Sequence, residues 1–384
     1  MFGAICLSRR RRERLAMVAE RELTLKQRDA ASISIRKYRN GRNNQVSNWS
    51  ARKWVLAARP IGKPKESDFR FETGSVAQPG DNELLLRTKF LSLEPYIRAR
   101  MDEAKSYATS TAIGEVMFGR TISEVLVSNH PAYSVGDIVL AKAGWQTLSL
   151  SNGKDLRKLD PEIAPPTAFV GVLGIPGSAA YIGMRVIGQP KPGETVVVAA
   201  ASGAVGSLVG QLARRAGARA VGIVGGAEKC AFIKDKLGFD EAVDHRAADF
   251  EQRLAAACPK GVDVYFENVG GAVWTAVWPL LNQFARVPVC GLVAQFGAPV
   301  PPGPDRVPAT IRQILSKSLT IRGFIVDNYP ELFPDFEREI GAGLKDGSIH
   351  QREDVVDGLE NAPAAFMGML EGRNFGKLLI RVTE

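Results

Sequence analysis

Histidine and cysteine are scarce in this chain of 384 residues: His130, His245 and His350 are the only histidines, and Cys6, Cys230, Cys258 and Cys290 the only cysteines. Four cysteines in a chain of this length exclude a disulfide scaffold, and with no two in C-x-x-C spacing and so few histidines a Cys/His metal site is hard to assemble; no metal is expected. Three of the four cysteines lie in apolar stretches, which reads as reduced, mostly buried thiols in a cytoplasmic protein. No apolar run reaches the roughly 18 residues that span a bilayer, so no membrane partner is expected. A surplus of charge is also missing from most of the chain. The formal charge is +9, but residues 1–50 hold 12 Lys/Arg against 4 Asp/Glu and carry +8 of it. The high pI therefore says little about what the body of the protein binds.

The first 50 residues read as a basic tail. Four arginines, Arg9 to Arg12, follow a short apolar start. A secretory signal has the opposite order, and Glu13, Glu20 and Glu22 are foreign to an Arg-rich transit peptide. Residues 36–48 show no apolar period and are predicted to be disordered. An arm for nucleic acid is the functional alternative. A solvated extension is the preferred reading, because no aromatic stacking pattern accompanies the charge.

From residue 51 to about 175 the chain reads as a compact β-rich unit. Strands are predicted at 83–93, 121–127 and 137–141, the last after the turn signal Gly136-Asp137. Between the first two lies Glu94-Pro95-Tyr96-Ile97-Arg98. Tyr96 and Arg98 are candidates to face a cleft, and a tyrosine packed at a domain edge is the equal alternative.

Residues 176–334 are more informative. The run 195–200, T-V-V-V-A-A, suits a strand buried on both faces. The glycine turn Ala201-Ser202-Gly203-Ala204-Val205-Gly206 follows. A helical stripe of Leu208, Val209, Leu212, Ala213 and Ala216 comes next, ended by Gly217, and then a second strand at 220–224. Strand, glycine turn, helix and strand in this order point to dinucleotide binding, with pyrophosphate held at the helix N-terminus. The alternation continues with helices at 228–237 and 250–257, and strands at 242–244 and 262–269. A Pro279-kinked helix at 273–282 and a strand at 286–289 complete it. The fold class is thus α/β, a doubly wound parallel sheet joined to a β-rich domain. Ligands gather at the carboxyl ends of such strands. At the end of the second strand stand Gly225-Gly226 and then Lys229, where an NAD site would carry a carboxylate; this predicts NADP. Glu228 is read as the start of the next helix, where its charge suits the dipole.

Together, A-A-S-G-A-V-G-S at 200–207, V-G-G-A-E-K-C at 224–230, V-Y-F-E-N-V-G-G at 264–271, R-V-P-V-C-G at 286–291 and N-F-G-K-L-L-I at 374–380 resemble the zinc-independent medium-chain dehydrogenase/reductases. Within them the resemblance is to the NADP-dependent alkenal/enone reductases of the prostaglandin and curcumin reductase type. It covers roughly residues 52–384. It implies a GroES-like catalytic domain at 51–175, completed by 335–384, around a Rossmann domain at 176–334, and a homodimer. It implies NADPH-dependent hydride transfer to the β-carbon of an enone or alkenal, or reduction of a quinone, or a weakened NADPH-binding protein. Carried over by position, Ser202, Gly203, Ala204, Val205 and Gly206 wrap the pyrophosphate, beside Gly226. Lys229 and His245 attend the 2′-phosphate. Asn268, Cys290, Gly291, Leu292, Phe296, Phe324, Ile325, Val326 and Asn374 line the cofactor. Tyr96 is a catalytic candidate.

The chain departs from that pattern at several points. Phe296 stands where a tyrosine is usual and lines the pocket in its place. Ala179 replaces a threonine, and Glu115 and Arg120 occupy positions that are often glycine. Losing one preorganised donor costs about 10²–10³ in rate, so two such losses bear on activity.

Overall fold

The computed structural model describes residues 49–103, 109–296 and 306–382. The tail expected at 1–50, Cys6 included, lies outside them except for its last two residues, which already belong to a strand.

The β-rich part begins with β1 (Trp49–Leu56), which pairs antiparallel with β2 (Phe69–Val76). The main sheet is built on β3 (Leu84–Ser92), β4 (Thr121–Ser128), β5 (Ile138–Ala141), β6 (Leu148–Ser151) and β7 (Arg157–Lys158). A short helix, α1 (Ile97–Arg100), follows β3, and α2 (Ile175–Ile182) leads out of the sheet. The strands expected at 83–93, 121–127 and 137–141 are β3, β4 and β5.

Next comes β8 (Thr195–Ala199), buried at every residue. Its three valines each contribute roughly 1.5–3 kcal/mol of burial. Then follow α3 (Gly206–Arg215), β9 (Arg219–Val224), α4 (Ala227–Asp235), β10 (Glu241–Asp244), α5 (Phe250–Ala257), β11 (Val262–Phe266), α6 (Gly271–Val277), β12 (Leu281–Val289), α7 (Val307–Lys317) and β13 (Thr320–Gly323). The six strands pair in parallel in the order β10-β9-β8-β11-β12-β13. The order reverses between β8 and β11, the switch point at which such sheets bind ligands.

One predicted element is corrected. The helix expected at 273–282 stops at Val277, passes through a short 3₁₀ turn at Trp278–Leu280, and residues 281 and 282 are strand. Pro279 ends the helix rather than kinking it, having no N–H to donate and a ring that crowds the preceding turn.

The chain then forms α8 (Phe333–Lys345), β14 (Glu353–Asp357), α9 (Ala362–Leu370) and β15 (Lys377–Arg381). β15 pairs antiparallel with β3, with Leu379 opposite Ser92, and β14 lies parallel to β15. The last strands therefore join the first sheet, and the segment between β15 and α9 comes back across the end of the parallel sheet.

Candidate active site

At the end of β8 the backbone turns sharply. Ala200 has φ +53°, in the left-handed region, which costs a non-glycine residue roughly 1–3 kcal/mol. Gly206 opens α3, and a Cβ there would stand 2.5 Å from the Ala200 carbonyl oxygen. Only glycine lets the helix come so close. The N–H groups of Ala204, Val205 and Gly206 have no acceptor among the described residues. Three successive free donors at a helix N-terminus form an anion cradle, which is what a pyrophosphate needs. Ser202 is buried beside them, and the space next to Gly203 is open apart from the Ala200 oxygen at 3.2 Å. Asn268 Nδ2 donates to the Ala199 carbonyl at 2.9 Å and ties the ends of β8 and β11 together at the switch point.

The second strand's end is basic. Lys229 Nζ donates to the Gly372 carbonyl at 2.8 Å and the Asn374 carbonyl at 2.6 Å. It staples the C-terminal return to α4 and keeps one N–H uncommitted to these carbonyls. Burial and the neighbouring Arg246 hold its ammonium below the usual lysine range. His245 lies across Gly225, and burial followed by Arg246 lowers its pKa. Arg246 completes the group: a Cβ on Gly225 would meet its Nε at 2.8 Å. Gly226, at φ +94°, caps α4 with a conformation L-residues rarely adopt. Asn374 turns its own Nδ2 to the Gly376 carbonyl, so it reaches this corner through its backbone oxygen.

The third face is apolar. Cys290, Phe324 and Val326 pack with Ala179 and Ile182 of α2. Phe324 stands edge-on to Phe266, ring centroids 6.4 Å apart. Ala179 is buried in this cluster, which offers its methyl group apolar neighbours. Burial, with the Glu267 charge behind it, pushes the Cys290 thiol up to about 12, so it is a neutral packing group. Residues Gly291, Leu292 and Phe296 follow β12 and fold over the β11 turn, where the Val293 N–H donates to the Asn268 carbonyl at 3.2 Å and Ala294 N–H to Val269 at 2.9 Å. Glu267, fully buried, accepts from Tyr265 Oη and from the Val269 and Gly270 N–H groups, shaping that turn. Phe296 is half-buried at its end, and Ile325 is half-buried beside Val326.

Tyr96 sits in front of α1, half-buried, with its ring 6.1 Å from Phe118. It packs at the edge of the β-rich core, and burial, with the nearby Glu94, drives its hydroxyl strongly toward the protonated form, against a smaller opposing effect of Arg120. Arg98 does not face a cleft. It is 2% exposed, paired with Asp102 at 2.7 Å and donating to the Gly62 carbonyl at 2.8 Å, so it is a structural brace. Glu115 accepts from the Ala112 N–H at 2.8 Å and closes an exposed turn.

The expected cofactor segments thus lie together at the carboxyl ends of β8, β9, β11, β12 and β13. Arg246 and Glu267 escaped the sequence reading as functional residues. The visible signal for Arg246 was a basic residue two positions after the third strand, beside the paired glycines; for Glu267 it was an acid inside an apolar run.

Comparison with known proteins agrees with this geometry. Residues 52–159 match a family described as the N-terminal domain of oxidoreductase, and residues 204–341 one described as zinc-binding dehydrogenase. Among the described residues no three His, Cys, Asp or Glu side chains come together to hold a metal, so zinc has no fitting site there and enters no step below. The chain is 52% identical to the NADPH-dependent curcumin reductase of Escherichia coli (strain K12), over 86% of this chain and 96% of that one. It is 36% identical to the NADP(+)-dependent 2-alkenal reductase of Nicotiana tabacum, over 88% and 99%. Among solved structures, CurA from Vibrio vulnificus in complex with NADPH is similar at a TM-score of 0.84 and 50% identity, over 87% and 99%.

Proposed function

The chain belongs to the zinc-independent medium-chain reductases that include the curcumin and alkenal reductases, and on that premise we propose that it reduces the C=C bond of α,β-unsaturated ketones and aldehydes with NADPH. The observation that carries the cofactor is the basic corner of Lys229, His245 and Arg246, placed beside three free N–H groups at the start of α3. The activity rests on the likeness to curcumin reductase across nearly its whole length.

When bound, NADPH supplies a hydride to the substrate β-carbon. The chain's own residues bind, orient and exclude water. The N–H groups of 204–206 hold the pyrophosphate, and Lys229 and Arg246 hold the 2′-phosphate, which a carboxylate in their place would repel. The apolar wall of Cys290, Phe324 and Val326 keeps water from one side of the nicotinamide site, with Phe296 beyond it. Reduction at the β-carbon would leave negative charge on the carbonyl oxygen. That oxyanion needs a donor, and Tyr96 is the residue that provides it. The α-carbon then takes a proton from solvent.

The working division is a substrate domain of 51–175 with 335–384 and a cofactor domain of 176–334. The reading includes a homodimer and a cytoplasmic location. The three free thiols Cys230, Cys258 and Cys290 suit a reducing compartment. A second copy is supported by α7, which exposes Val307, Ile311 and Leu315 at 58%, 59% and 80% on one stripe, beside the edge strand β13. Light scattering of the wild type and of Leu315→Glu tests it: a dimer that becomes a monomer is expected, and a wild-type monomer contradicts it.

The activity is tested by following NADPH and NADH oxidation at 340 nm with enones, alkenals and quinones. Turnover of enones with NADPH, giving the saturated ketone, is expected. Turnover of quinones alone contradicts the substrate assignment, and no NADPH binding at all contradicts the cofactor site.

A further inference from the structure

Behind the basic corner, the C-terminal return is tied down by a second set of contacts. Lys229 Nζ gives N–H groups to the Gly372 and Asn374 carbonyls, at 2.8 and 2.6 Å, so the direction of its remaining N–H is set by where those oxygens stand. Residues 371–376 belong to no helix or strand. Their front end closes on α9, where the Gly372 N–H donates to the Met369 carbonyl and the Arg373 N–H to the Gly368 carbonyl, both at 2.9 Å. Their far end is held through Phe375. Its N–H donates to Asp354 Oδ2 at 2.8 Å. Its ring meets Phe232 of α4 edge to face, centroids 5.0 Å apart. The Arg352 guanidinium lies over that ring, 3.9 Å from the centroid, and its Nε donates to the Phe375 carbonyl at 3.2 Å. The Arg352 carbonyl accepts from the Lys377 N–H at 2.8 Å, and a Cβ on Gly376 would stand 2.3 Å from it, so the two segments run in close contact. Arg352 therefore grips Phe375 both by its face and by its carbonyl. Phe375 directly follows Asn374, and Phe232 is the i+3 neighbour of Lys229 on α4.

We propose that Arg352 is a positioning residue for cofactor choice: by fixing Phe375 against Phe232 it fixes the carbonyls that aim Lys229 at the 2′-phosphate, and so sharpens the preference for NADPH over NADH. The proposal rests on the placement of the 2′-phosphate at Lys229 given above. A lysine head rides on a flexible four-carbon stem, and ordering that stem costs rotamer entropy. A lysine already seated on two carbonyls has lost that freedom before the phosphate arrives, so less is lost on binding. Carbonyls on an irregular segment orient a lysine only if the segment is itself held. The Phe232 edge, the Asp354 carboxylate and the Arg352 guanidinium hold it here. The Arg352 part of that grip is a planar stack, which a lysine copies in charge but not in shape. NADH has no 2′-phosphate for Lys229 to meet, so loosening the grip leaves its binding alone.

The test measures the dissociation constants of NADPH and NADH by fluorescence titration. The proteins are the wild type, Arg352→Met, Arg352→Lys, Phe375→Leu, Lys229→Met and the double variant Lys229→Met/Arg352→Met. Arg352→Met and Phe375→Leu should each weaken NADPH by about three- to tenfold and leave NADH within about twofold, a split that a general loss of structure would not give. Arg352→Lys should fall between Arg352→Met and the wild type. In the Lys229→Met background Arg352→Met should add nothing, because its effect passes through that lysine. The proposal is overturned if Arg352→Met binds NADPH as the wild type does, or if it weakens NADH equally. It is also overturned if the loss persists in the Lys229→Met background, which would put the guanidinium on the phosphate itself. A Lys229→Met protein that keeps its full preference for NADPH rejects the placement of the 2′-phosphate, and this proposal with it. Loss of that preference in Lys229→Met but not in Arg352→Met rejects the proposal alone.

Discussion

Around the β8–α3 turn the working parts are backbone: Gly206 against the Ala200 carbonyl, and three N–H groups with no internal acceptor. Around Tyr96 they are side chains from distant stretches of sequence: Glu94 after β3, Arg120 before β4 and Lys377 at the start of β15. Gly206 in the first region tolerates almost no substitution, because a Cβ there collides with main chain that cannot move away. The second can be rebuilt one side chain at a time. Of the departures from the family pattern, Arg120 falls on that second surface and Ala179 and Phe296 on the apolar face beside the ends of the parallel strands, while the glycine turn and Lys229 keep theirs. On the proposed reading, a cofactor common to many reductases is held by geometry, and a particular substrate by replaceable side chains.

The sharpest way to break this comparison is Gly206→Val. It should raise the NADPH dissociation constant by about 100-fold or more in a fluorescence titration, since the added carbons meet the Ala200 carbonyl. Near-normal affinity would mean that the turn is far softer than its contacts imply. At the basic corner, Lys229→Met should raise the KM for NADPH by roughly 30-fold and Arg246→Met by roughly tenfold, with NADH unaffected by either. Equal losses with both cofactors would show that Lys229 serves only to fasten the Gly372 and Asn374 carbonyls. On the substrate side, Phe296→Tyr should raise kcat by about three- to tenfold by restoring a phenol. A fall would show that the pocket has been reshaped around phenylalanine.

The smallest effect concerns stability. Burial pushes the Glu194 carboxyl up, but its bonds from Arg286 and the Lys191 N–H outweigh this, and it titrates below its ordinary 4.5. A lowered carboxyl stabilises the fold above the unfolded-state pKa, and the contribution fades as pH falls through the folded value. Glu194→Gln should therefore cost about 1 kcal/mol at pH 7 and less at pH 3, seen as melting curves that approach one another in acid. A constant difference at both pH values would assign the loss to packing.

The cofactor half was legible because its signals are local. A strand buried on both faces is a continuous apolar word, as at 195–199, and the glycine turn directly follows it. The α5 helix kept its expected bounds for the same reason. The hairpin of β1 and β2 was not foreseen, since β2 reads F-R-F-E-T-G-S-V and leaves most of its residues in solvent, with no alternation to mark a buried face. Residues 281–282 read as helix in sequence because an apolar run fits both periods until tertiary pairing decides. Arg120 was visible as an oddity, but its proximity to Tyr96 depends on β3 and β4 lying side by side, with Leu91 opposite Thr121. Arg246 likewise acquires meaning only once β9 and β10 are neighbours.

The central claim, hydride delivery to the β-carbon of an enone, is tested most directly by product labelling. NADPH carrying deuterium at the transferred position should place one deuterium on the β-carbon of the saturated ketone, and the same reaction in D₂O with unlabelled NADPH should place deuterium on the α-carbon. Deuterium on the carbinol carbon of an unsaturated alcohol would contradict the account.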